Sequence, residues 1–98
     1  MKPQSICEQV AVRVERKRQQ LFERLDLPRE RYGNIPAGPA RPETVAEDIA
    51  IGRIEEARSR AADLDRQLEA GRIECFWFDV SVFADDYFCL FIRPGGGR

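Results

Sequence analysis

Apolar residues fall into three stretches with three different spacings. In the first, Cys7, Val10, Val14, Lys17 and Leu21 recur at steps of three and four, and Ile6, Ala11, Phe22 and Leu25 widen the stripe. That period predicts an amphipathic helix over 5–27. Ser5-Ile6-Cys7-Glu8 is a capping box at its start, and Pro28 cannot continue it. The second stretch runs Ala50, Ile54, Ala57, Ala61, Leu64, Leu68, in heptad steps, and predicts a helix over 44–70. Thr44-Val45-Ala46-Glu47 forms its capping box, Gly71 supplies the left-handed residue beyond its end, and the small residues at 50, 57 and 61 permit close approach of a second helix. Glu56→Arg60, Glu55/Arg58 and Asp63/Arg66 are its expected ion pairs.

The third stretch, Arg72 to Arg93, has no helical period. Fifteen of its 22 residues are apolar and it holds seven of the nine aromatics, which makes it the densest source of core in the chain. Aromatic and β-branched residues around a break at Ala84-Asp85-Asp86-Tyr87 predict a hairpin, with strands near 72–83 and 87–93. With that loop, Phe83 pairs with Phe88, Val82 with Cys89, Ser81 with Leu90, Val80 with Phe91 and Asp79 with Ile92. One face then carries Phe76, Phe78, Val80, Val82, Cys89 and Phe91. The other carries Cys75, Trp77, Phe83, Phe88, Leu90 and Ile92, with Asp79 and Ser81 among them. Both faces are apolar, so both need covering.

The expected fold is therefore α+β in a single domain over 1–98. Two antiparallel helices precede a C-terminal hairpin packed on them through the Phe76/Phe78/Val80/Val82 face. Residues 28–43 are a long Pro/Gly-rich connection with one further turn near Pro28–Tyr32, and 94–98 are a flexible tail. The second helix, at about 1.5 Å per residue, is longer than so small a domain requires, which points to protrusion or a second chain.

Composition narrows the function. Charged residues make up 34% and the net charge is −1, so bulk attraction to nucleic acid or an anionic membrane is not expected. The charge is unevenly placed: residues 1–42 carry nine basic and five acidic side chains, residues 43–98 seven and twelve. The N-terminus lacks the apolar core of a signal peptide, and acidic residues interrupt the only stretch long enough to span a membrane. Three cysteines with no close pair read as reduced, buried thiols in the cytoplasm. Fourteen arginines against two lysines suggest a GC-rich bacterial or phage genome.

With no histidine, neither an imidazole base nor a catalytic triad can be built, and the chain implies no cofactor, no metal site and no enzymatic activity. The leading expectation is a small adaptor- or inhibitor-like protein, of the kind carried by phage or mobile elements. It would bind another protein, or a second copy as a homodimer, through Trp77, Asp79, Phe83, Phe88 and Leu90. Asp79, set on an apolar face, needs a partner, and an arginine is expected. A second expectation is nucleic-acid binding by the first helix through Arg13, Arg16, Lys17, Arg18 and Arg24. The bland alternative is that these cations form a solvated face, paired with charges from the second helix. A purely structural oligomer is the third.

Overall fold

A computed structural model of the protein describes residues 5–36, 38 and 42–95. Helices form one layer and an antiparallel sheet of three strands the other. The order along the chain is α1 (Ile6–Leu25), α2 (Arg29–Tyr32), β1 (Val45–Ala50), a 3-10 turn (Ile51–Arg53), α3 (Ile54–Glu69), β2 (Ile73–Val80) and β3 (Tyr87–Pro94). The strands lie in the order β1-β3-β2, so β3 is central.

α1 begins at the expected capping box: the Ser5 hydroxyl accepts from the Glu8 amide at 3.1 Å, and the Glu8 carboxylate accepts from the Ser5 amide at 3.4 Å. It ends on Asp26, a non-glycine residue in the left-handed region (φ 55°) that closes the helix with its amide on the Phe22 carbonyl. Only Leu21, Phe22 and Leu25 of α1 are buried. The N-terminal half runs clear of the body, leaving Ile6, Val10 and Val12 exposed, and Cys7 with them, so that thiol is not buried as expected. α2 supplies the extra turn after Pro28 and fastens it down: the Tyr32 hydroxyl donates to Asp65 of α3 at 2.7 Å, and its ring lies 5.8 Å from that of Phe76. Burial, and then the bond to Asp65, raise the Tyr32 pKa. Gly33 follows because a Cβ there would meet the Phe22 ring at 2.8 Å.

The helix expected over 44–70 is two elements. Residues 45–50 are an edge strand antiparallel to β3, with Ile49 opposite Phe88 and Glu47 opposite Leu90, and the helix starts only at Ile54. The Thr44/Glu47 capping box is not used. Glu47 instead pairs with Arg60 of α3 at 2.7 Å, and Glu56, its expected partner, faces Arg53. The Arg58–Glu55 and Arg66–Asp63 pairs form as expected. The remaining seam keeps its phase: Ala57, Ala61 and Leu64 are buried. At its C-terminus the Arg72 amide reaches the Gln67 carbonyl and the Gly71 amide that of Leu68, with Gly71 at φ 74°, a Schellman closure.

The hairpin exists, but its register is three residues from the expected one. Val80 lies opposite Phe88, Asp79 opposite Cys89, Phe78 opposite Leu90 and Trp77 opposite Phe91. The loop therefore spans 81–86, and the faces regroup. Phe76, Phe78, Val80, Phe88, Leu90 and Ile92 turn to the helices, and with Leu21, Phe22, Leu25, Tyr32, Ala57, Ala61 and Leu64 they make the core. Pro94, expected in a tail, closes β3; residues 96–98 of that tail, and 37 and 39–41 of the long connection, lie outside the described residues. Among the described residues no helix is long and apolar enough to cross a membrane.

Candidate functional site: the hairpin tip and the cleft beside it

The five residues expected to form one aromatic surface do not lie together. Phe88 and Leu90 sit in the core at 1% and 0% exposure, under the helices, and cannot meet a partner. The three-residue change of register accounts for this: an odd shift moves the whole of β3 to the opposite face relative to β2. Trp77 and Asp79 stay on the second face. There Trp77 stacks on Phe91 with ring centroids 5.2 Å apart and 11° between planes. The Arg93 guanidinium lies 5.6 Å from the Trp77 centroid and donates to the Thr44 hydroxyl. Trp77 is left only 6% exposed, so it packs rather than presents. Asp79 has the arginine it required: Arg18 Nε meets Oδ1 at 2.8 Å and the second nitrogen Oδ2 at 3.3 Å.

Cys89 lies on the same face and donates to Asp48 at 3.4 Å. Burial, then that carboxylate, push its thiol up to about 11, so it carries no nucleophilic thiolate at neutral pH. Among the described residues no three metal-ligating side chains cluster.

Phe83 alone is presented. It is 99% exposed, on the loop between β2 and β3, with Val82 beside it half in solvent. The loop under it is held at several points. The Ser81 hydroxyl accepts from the Phe83 and Ala84 amides at 3.3 and 3.1 Å. From α1, Lys17 donates to the Ser81 carbonyl at 2.6 Å and to that of Ala84 at 3.4 Å, and meets the Asp85 carboxylate at 2.8 Å. Lys17 interrupts the apolar stripe of α1 at the turn where the helix passes the loop, and its ammonium satisfies carbonyls that no strand pairs. The side-chain bond to Lys17, reinforced by its charge, holds Asp85 below its ordinary pKa of 3.8.

That depression sets a pH dependence. A carboxylate with a lowered folded-state pKa contributes order that is present above its ordinary value and lost as pH falls through the depressed one. The protection of the Phe83 and Ala84 amides, measured against the intrinsic exchange rate at each pH, is expected to fall once pH drops below 3.8, and Asp85→Asn should show the lowered protection at neutral pH. Protection in Asp85→Asn equal to wild type would show that the Lys17–carbonyl bonds hold the loop unaided.

Beside the tip is an open cleft of about 500 Å³ between α1 and the start of β3. Leu21 and Phe88 lie beneath it, half-buried Ile51 and Val80 and exposed Tyr87 form its apolar floor, and Arg13, Lys17, Gln20, Glu23 and Arg24 of α1 line its rim. Arg13, Lys17 and Arg24 fall at i, i+4 and i+11, one face of a helix. The five cations expected to meet nucleic acid thus divide. Lys17 and Arg18 are engaged by Asp85 and Asp79, whereas Arg13, Arg16 and Arg24 have no ion pair among the described residues. The internal partners come from the hairpin, not from the second helix. Sequence inspection missed the clamp because Lys17 and Ser81 are 64 positions apart; a lysine on an apolar stripe was its only local sign. No known family model matches the chain, and neither a curated protein nor a solved structure resembles it at a significant level.

Proposed function

We propose that the protein is a non-enzymatic protein-binding module that engages its partner through Phe83 at the hairpin tip. One observation carries this: a fully exposed phenylalanine on a loop held by Lys17, Ser81 and Asp85. An aromatic side chain left in water is unfavourable by roughly 1.5–3 kcal/mol relative to its burial. Ordering its loop beforehand removes the conformational cost that binding would otherwise carry. Rigid aromatic anchors of this kind supply most of the energy at protein interfaces.

The test compares tagged wild type with Phe83→Ser as bait in a lysate of the producing cell, with untagged copies of the chain present. At least one specifically retained protein, own copies included, should fall tenfold or more with Phe83→Ser, while both baits give the same circular dichroism. Equal retention would sink the proposal.

Nucleic-acid binding through α1 rests on Arg13, Arg16 and Arg24 alone and is the weaker proposal, because Lys17 and Arg18 are already neutralised. Retention of RNA and DNA at low salt, with those three arginines changed to glutamine, is the corresponding check.

A further inference from the structure

We infer that the partner of the tip is a second copy of this chain, and that the two copies exchange tips, Phe83 of each seating in the cleft between α1 and β3 of the other. The inference rests on Phe83 being the binding residue and adds what receives it.

Tip and cleft are complementary in shape class and in charge. The tip offers an aromatic ring, half-exposed Val82 and the carboxylate of Asp86, which is exposed and has no ion pair among the described residues. The cleft offers an apolar floor of Ile51, Val80 and Tyr87, within a volume of about 500 Å³ that suits an aromatic side chain, and two guanidiniums on its rim, Arg13 and Arg24, without ion pairs. Asp85 also lines the cleft, where Lys17 holds its carboxylate and the Arg13 charge acts on it as well, so Arg24 is the rim cation with no acid of the tip beside it. Glu23 is the one rim acid left, so the cleft keeps a positive balance toward Asp86.

The two features are also neighbours on one molecule: Asp85 and Tyr87 line the cleft, and Phe83 is two residues before Asp85. A twofold axis passing between them brings each tip to the other copy's cleft and closes the assembly, so the pairing stops at two and no filament grows. The free edge of β1 does not offer the same solution. With the twofold axis at the middle of β1, such pairing would bring the Glu47 and Asp48 carboxylates of the two copies close together.

Two exchanged tips bury less than the roughly 1,200 Å² of a stable interface, so a weak dimer with a dissociation constant in the micromolar range is expected. Sedimentation velocity up to several hundred micromolar, with reductant, measures it for wild type, Phe83→Ser, Arg13→Gln/Arg24→Gln and Arg16→Gln. The expected result is a wild-type dimer weakened at least tenfold by Phe83→Ser and at least fivefold by the double variant. Arg16→Gln, which lies off the cleft, should leave it unchanged. A wild-type monomer throughout overturns the second copy as partner and leaves Phe83 to be judged by the bait comparison. A dimer indifferent to Phe83→Ser overturns the tip exchange. A dimer sensitive to Phe83→Ser but not to the double variant, or equally sensitive to Arg16→Gln, overturns the cleft as its seat.

Discussion

Phe78→Ala is expected to cost about 3–5 kcal/mol of folding stability, the range for removing a fully buried phenylalanine. Phe78 is 1% exposed and sits opposite Leu90. Its ring meets Phe76 edge-on at 6.4 Å and Phe88 at 6.1 Å, and the helices close over it. It belongs to the same buried cluster as Leu21, Leu25 and Leu64, so its removal leaves a cavity in the core. A domain of this size has only some 5–15 kcal/mol in total, so the variant should unfold at a much lower urea concentration with an unchanged m-value. Phe83→Ala is the internal comparison: the same atoms removed from a side chain in water should shift the midpoint by no more than about 0.5 kcal/mol. Similar losses at the two positions would contradict the register that places Phe78 inside and Phe83 outside.

That register was the least legible part of the chain. Aromatic and β-branched residues on either side of a break specify a hairpin, but when both faces are apolar no pattern says which pairing is right. What decides it lies elsewhere in the chain: Lys17 draws the loop carbonyls out of the ladder, and Ser81 folds back on Phe83 and Ala84. β1 is hidden in the sequence for a related reason. Thr44 to Ala50 reads as a capped helix start, and local propensity gives no sign of the strand. The central strand β3 chooses, by needing a partner on its second edge. Gly52 was the local hint, since glycine inside a helix costs roughly 1 kcal/mol.

The site divided along the same line. Pairing of Asp79 with an arginine follows from the elementary rule that a covered carboxylate needs a partner, whereas the full exposure of Phe83 runs against the burial usual for an aromatic side chain. Burial of Phe88 and Leu90 follows only from the register. The cleft was not legible at all, because its walls come from α1, the 3-10 turn and β3, segments that meet only in the folded chain. The start of α1 and the end of α3, in contrast, read directly from the sequence, because Ser5 with Glu8, and Gly71, act within a few residues of themselves; the Thr44/Glu47 box, of the same kind, opens no helix.

The phase of α3 was equally legible, and it carries the second large effect. Ala57 and Ala61, one turn apart, are 0% and 1% exposed in the cluster that includes Leu21, Phe22 and Leu25 of α1. Their size lets the helices approach closely enough for Arg58 to donate to the last carbonyls of α1, Leu25 at 2.7 Å and Arg24 at 2.8 Å, where a cation also suits the helix dipole. Ala61→Leu adds three carbons where no space exists, so it must push α3 away from α1 and strain those bonds together. Overpacking of this kind costs about 1–3 kcal/mol, and the loss of the Arg58 bonds should bring the value to the upper end. Ala62→Leu, the next residue and exposed, should change stability by no more than about 0.5 kcal/mol. Chemical denaturation of the two variants side by side measures the difference. If Ala61→Leu proved as mild as Ala62→Leu, α3 would not be seated through its alanine face, and the Arg58 contacts that depend on that close approach would fall with it.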